Sequence, residues 1–265
     1  MARLQSNTIN NPDGSRLWTP PDAVFARETG LYSEVNLEAV STTQLYSLGA
    51  QYSDVWGRVF RYVEYGGTIA KGSLVQAEGP AAAHDDLDLS ADGAAGDLTI
   101  SVASPASGTD DVITNEYAGG FVKIEKLARG YMLPIALNED CDISEVENFV
   151  VTLWVPLRAA LVADCDIALI KSPYKEVIIV PTTLTAIVVG VSMATGADNS
   201  YGWVQTRGPA QVLTAGTAVI GNMVVPLTTA GALAPAATSD VIGSVGRVMD
   251  VGPTTEWSAV WLTLE

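Results

Sequence analysis

From Trp56 onward the apolar residues of this chain recur with period two in short segments, each closed by Gly, Pro, Thr or Asn. The clearest is Arg58-Val59-Phe60-Arg61-Tyr62-Val63-Glu64-Tyr65, which ends at Gly66-Gly67. Period two puts alternate side chains on one face of an extended backbone, so such a segment reads as a half-buried strand. Comparable segments lie at 98–103, 121–125, 149–155, 167–171, 177–180, 187–192, 201–206, 222–226, 243–249 and 257–264. They are too short for helices. Their succession predicts an all-β fold of short-stranded β-barrel or β-sandwich modules. Helical turns are expected only at 21–27, 34–48 and 157–162.

Residues 1–50 break this pattern. Asn10-Asn11-Pro12-Asp13-Gly14 and Pro20-Pro21-Asp22 are turn chemistry, and Leu17, Trp18, Val24 and Phe25 follow no sustained period. This segment is expected to be an extended N-terminal arm whose apolar residues contact a partner. Residues 51–192 then form a first β-rich domain, interrupted by an acidic insertion at 78–116. Residues 193–265 form a C-terminal β-rich module that packs with 55–77. One internal similarity links the two parts: Gly67-Thr68-Ile69-Ala70-Lys71-Gly72-Ser73-Leu74-Val75 and Gly216-Thr217-Ala218-Val219-Ile220-Gly221-Asn222-Met223-Val224 share the frame G-T-x-x-x-G-x-apolar-V. The frame predicts a turn with positive φ at Gly72 and Gly221, followed by a strand that enters the core.

Charge narrows the partners. With 14 Lys+Arg against 30 Asp+Glu, the chain carries −16 and lacks the clustered cations that hold a phosphate backbone, so neither nucleic acid nor an anionic membrane is an expected partner. The stretch from Glu78 to Glu116 holds Glu78, Asp85, Asp86, Asp88, Asp92, Asp97, Asp110, Asp111 and Glu116 with no Lys or Arg, and must be solvated or face cations from elsewhere. Mean hydropathy is positive, +0.24. No apolar run nevertheless approaches the roughly 20 residues of a spanning helix, and the N-terminus has no apolar signal core, so synthesis in a cytosol is expected.

The residues of catalysis are sparse. The single histidine, His84, sits in Ala81-Ala82-Ala83-His84-Asp85-Asp86 and reads as a solvated loop residue; no Ser lies in a nucleophile elbow and no His/Cys set has zinc spacing. An enzyme is not expected, nor a cofactor. The metal candidate is Asp86, Asp88, Ser90 and Asp97, whose alternate oxygens suit Ca²⁺, although Ala91 stands where an EF-hand loop needs glycine. Cys141 and Cys165 share the frame Asp-Cys-Asp-Ile, which places both at strand starts as buried thiols or as a late-forming disulfide.

Taken in order, Gly57-Arg58-Val59-Phe60-Arg61-Tyr62-Val63, Tyr117-Ala118-Gly119-Gly120-Phe121-Val122, Tyr201-Gly202-Trp203-Val204-Gln205-Thr206-Arg207-Gly208-Pro209-Ala210 and the ending Ile242-Gly243-Ser244-Val245-Gly246 to Leu264 form a pattern over most of 57–264. It resembles virion proteins of tailed bacteriophages, in particular the small β-rich capsid decoration, or cement, proteins. The resemblance implies a non-enzymatic, often trimeric protein on the outer capsid surface that bridges neighbouring major capsid subunits. Leu17, Trp18, Val24 and Phe25 of the arm would then be capsid contacts. The alternative is a tail, fibre or baseplate β-protein with carbohydrate affinity, in which Trp18, Trp203, Trp257 and Trp261 would be the candidate stacking residues; the competing expectation is that Trp203, Trp257 and Trp261 are strand core.

Overall fold

One turn recurs ahead of the strands. Ser73 N–H donates to Ala70 O (3.2 Å) and Asn222 N–H to Val219 O (3.1 Å), with Gly72 at φ +76° and Gly221 at φ +85°. This is the type II pattern, in which the third residue must take a positive φ. Both positions behave as the repeated frame predicts. Val75 and Val224 both enter the core, but Leu74 is buried where its counterpart Met223 is exposed. The same hydrogen bond launches strands at residues 51, 99, 121, 200 and 233, with Asn199 in place of glycine ahead of residue 200.

The computed structural model describes residues 7–10, 14–19, 35–105, 111–125, 130–144, 147–163, 165–226, 229–236, 243–253 and 256–265. In chain order the strands are β1 (Asn7–Asn10), β2 (Arg16–Thr19), β3 (Gln51–Ser53), β4 (Val59–Tyr65), β5 (Leu74–Gln76), β6 (Leu87–Asp88), β7 (Thr99–Val102), β8 (Phe121–Ile124) and β9 (Tyr131–Asn138). They continue as β10 (Phe149–Leu153), β11 (Asp166–Ile170), β12 (Ile178–Ile179), β13 (Val188–Ser192), β14 (Ser200–Leu213), β15 (Met223–Pro226), β16 (Leu233–Pro235), β17 (Gly246–Asp250) and β18 (Trp257–Thr263). The protein is all-β; the one helix among the described residues is a 3₁₀ turn at Ala82–His84. At 157–162 the chain bends and is not helical, because the Leu157 and Leu161 N–H groups donate to Asp97 O and Gly93 O (both 2.8 Å) rather than within the segment.

The chain divides into two units, and the division falls at 79/80 and 172/173 rather than at 192/193. Residues 80–172 form an inserted unit. Its sheet runs β6-β11-β8-β9-β10-β7, and Leu89, next to β6, bridges Val102 of β7, so the hydrogen bonds close a six-stranded antiparallel barrel. Closure removes the exposed sheet edge. The acidic stretch helps to build this barrel: Leu87, Leu89, Ile100, Val102 and Val112 belong to the barrel core with Phe149, Val151 and Ile167. Its carboxylates find cations later in the chain, as in Glu116–Lys171 (2.9 Å) and Asp85–Lys123 (3.8 Å). The unit carries 16 acidic against 5 basic side chains, a net of −11.

The host unit is a larger antiparallel sheet with the path β1-β2-β3-β4-β14-β18-β17-β15-β16, to which β13, β5 and β12 attach. Its axis is β14, fourteen residues long. β4 pairs along it from Tyr65↔Ser200 to Val59↔Arg207, and β18 from Arg207 to Leu213. The sequence pattern stops at Thr206, because Gly208-Pro209 reads as a terminator. In the fold a bulge between Gln205 and Arg207 and φ +86° at Gly208 carry the strand on, and Pro209 lies beyond the last β4 pair, where no ladder bond requires its N–H.

Residues 14–19 and 35–50 are not a free arm. β2 pairs with β3 (Leu17↔Tyr52), and Leu17 is 1% exposed in a cluster with Tyr46, Ala50, Phe60, Tyr62 and Trp203. Burial explains the correction: an apolar side chain without periodicity still pays its way thermodynamically by filling a core reached through β pairing.

Candidate functional site

The sequence-derived contact set does not come together. Leu17 is core and unavailable to a partner, Trp18 is half-buried in β2, and Val24 and Phe25 lie outside the described residues. Asp86, Asp88, Ser90 and Asp97 do not converge either. Asp97 Oδ2 accepts the Ala94 N–H (2.7 Å), Ser90 Oγ bonds Ser101 Oγ (2.6 Å), and among the described residues no three His, Cys, Asp or Glu side chains gather to hold a metal ion. His84 is not solvated: it is buried in the barrel with its Nδ1 hydrogen-bonded to the Tyr117 hydroxyl, the rings meeting edge to face at 5.6 Å. Cys141 and Cys165 are buried, and neither is in a disulfide. Cys165 directly precedes β11, as its frame predicts, whereas Cys141 sits in a lone bridge to Val112.

The tryptophans divide differently from the expectation that three of them are core. Trp203 is 2% exposed, packed between Tyr46 (5.3 Å) and Tyr62 (5.2 Å). Trp257 and Trp261 are 41% and 44% exposed. Strand alternation explains this. β18 buries Ser258, Val260 and Leu262 and turns Trp257 and Trp261 outward. Register then builds a row across four strands: Pro209 faces Trp261, Trp261 faces Arg247, and Arg247 faces Met223. Met249 joins it beside a bulge in β17, and Val219 and Ile220 are exposed in the turn that launches β15. The result is an outward face rich in Trp, Met and Arg, the residue types enriched where proteins bind one another.

Two neighbouring features are prebuilt. At the β3–β4 turn, Asp54 Oδ1 accepts the N–H groups of Trp56 (3.0 Å) and Arg58 (2.9 Å), and Asp54 Oδ2 pairs with Arg58 Nε (2.6 Å). These bonds hold out Trp56, 75% exposed, with the Arg58 guanidinium 5.8 Å from its ring. A cleft of about 430 Å³ opens where Trp257 lies over Gly72, with Glu38, Lys71, Arg58 and Gln211 in its wall. The Lys71–Glu38 pair across it is 2.6 Å long.

Titration in the host unit is dominated by tyrosine. Burial pushes the hydroxyls of Tyr62, Tyr65, Tyr174 and Tyr201 above their ordinary range, and burial likewise raises Glu64, which bonds Tyr201 (3.3 Å). Burial is the largest cause of each shift, so the shifts follow from packing. Among the described residues no helix is long and apolar enough to cross a membrane. Comparison with protein-family models, with curated proteins and with solved structures returns no match.

Proposed function

We propose that this chain is a structural, non-catalytic virion protein that binds the outer surface of a tailed-phage capsid and ties neighbouring major capsid subunits together, as a homotrimer assembled after synthesis in the host cytosol. The observation that carries this reading is the outward row Pro209–Trp261–Arg247–Met223. A contiguous exposed patch of this kind is a protein contact surface by composition, since Trp and Arg anchors supply most interface energy. It takes the place of the N-terminal arm as the capsid-facing element. The sequence likeness over 57–264 points to the same class, and a trimer would multiply modest contacts by avidity.

Expanded capsids mixed with the protein and sedimented provide the test. The wild type should co-sediment at many copies per head, and Trp261→Ala with Met223→Ala should bind at least about 10-fold more weakly. Binding confined to a few copies at the tail would overturn the assignment. The cleft under Trp257 favours a second reading, a tail or baseplate protein that stacks a sugar on that ring; saturable binding of a neutral oligosaccharide, lost in Trp257→Ala, would establish it.

A further inference from the structure

On the reading that the β14–β18–β17–β15 face is a docking surface, its chemistry specifies what docks. Two arginines stand on it. Arg207 faces Thr263 and Arg247 faces Trp261 in the register, and both are exposed. Among the described residues neither pairs with a carboxylate, whereas Arg58, Arg61, Lys71, Lys123 and Lys171 all do. Arg247 spends one nitrogen on Gly221 O (3.1 Å). The four strands contain a single carboxylate, Asp250, and it accepts the Val251 N–H (3.0 Å). In a chain with 30 acidic against 14 basic side chains, two guanidinium groups with no carboxylate partner among the described residues, beside the exposed Trp261, are a local inversion of the protein's charge.

We propose that this face binds an extended acidic polypeptide segment of the partner, with carboxylates on Arg207 and Arg247 and an apolar residue between them on Trp261. Spacing sets the motif. β14 and β17 flank β18, so the two arginines are two strand spacings apart across the sheet and two residues apart along it, about 12 Å between Cα atoms. An extended chain advances about 3.3 Å per residue, so acidic residues four apart span that distance and the residue midway projects to the same side. The planar guanidinium suits a carboxylate held in two-pronged fashion, and the adjoining indole lowers the local exposure to water. A nucleic acid is the less fitting polyanion, because two cations on a −16 chain give little counterion release.

The probe is a labelled peptide with Glu-Ser-Leu-Ser-Glu flanked by Ser and Gly, titrated into the full chain by fluorescence anisotropy, with the Trp261 indole N–H followed by NMR. Expected are saturable binding below about 1 mM, a shifted Trp261 signal, and weakening at high salt. Replacing both arginines by Ala, or Trp261 by Ala, should lower affinity about 10-fold or more, while a Lys-Ser-Leu-Ser-Lys peptide should not bind. The positions are exposed, and an unchanged urea midpoint confirms that each variant folds. Failure to saturate by about 1 mM, equal binding by the double-arginine variant, or equal binding of an oligothymidylate would overturn the proposal. The same variants separate it from the capsid assignment. If Trp261→Ala abolishes capsid binding and the double-arginine variant does not, the docking face stands and the acidic partner falls. If the peptide binds as expected but capsids do not, the capsid assignment falls alone.

Discussion

Leu17→Ala tests whether the N-terminal segment is core or contact. The side chain is 1% exposed, packed with Phe60, Tyr62 and Trp203 through the β2–β3–β4 pairing. Removing three carbons costs about 2.4 kcal/mol at about 0.8 kcal/mol per buried methylene, before any cavity remains. A residual void adds to this, and the total should be about 3 kcal/mol, inside the range of about 2–5 kcal/mol for such truncations. Urea unfolding followed by tryptophan emission reads it well. Five of the six tryptophans, Trp18, Trp56, Trp203, Trp257 and Trp261, belong to the host unit and only Trp154 to the barrel. With a slope of about 2–3 kcal/mol/M, the host midpoint should fall by about 1–1.5 M, with the slope unchanged. A loss below about 0.5 kcal/mol, the range of surface substitutions, would refute the burial argument and restore residues 14–19 as a loosely attached arm.

Gly72→Ala and Gly221→Ala should separate two effects in the repeated frame. Both pay about 1 kcal/mol for a side chain at positive φ, but a Cβ at Gly72 would lie 2.0 Å from the Trp257 ring, whereas Gly221 has nothing within 4 Å. Only Gly72→Ala should therefore swing Trp257 into solvent and shift its emission to the red. Tyr131→Phe should raise barrel stability by about 1 kcal/mol, seen in the Trp154 transition, because the Tyr131 hydroxyl is buried with no hydrogen-bond partner among the described residues. A loss would show that the oxygen is satisfied. Alkali should unfold the host unit. Tyr62, Tyr65, Tyr174 and Tyr201 keep their protons in the folded state beyond the ordinary value near pH 10, so their contribution is complete below about pH 10 and drains away as the pH rises through the folded values. Urea midpoints that stay flat between about pH 9 and 12 would contradict this.

Much of the strand inventory was legible locally. The period-two segments at 59–65, 99–102, 121–124, 149–153 and 257–263 depend on alternation alone, 188–192 is a short apolar run, and the positive φ at Gly72 and Gly221 follows from steric rules within four residues. β9 escaped because Pro134 sits in its middle; its carbonyl accepts the Trp154 N–H (2.9 Å), and Ala136 is left unpaired in a bulge of β9 nearby, an accommodation no local pattern announces. The candidate site was less legible still. Alternation shows that Trp257 and Trp261 share a face of β18, but not which face meets water.

Sequence alone determined that this chain is all-β, built from short strands relaunched by glycine turns and acidic overall, since each of these is a property of composition or of a few adjacent residues. The tertiary structure decided that residues 80–172 close into their own barrel, that Leu17 and His84 are buried, and that Pro209, Trp261, Arg247 and Met223 stand in one row. Those outcomes depend on strand order and contacts between segments far apart in the chain, and a shift of one residue in register would turn Leu17, Trp261, Arg247 and Met223 to the opposite face.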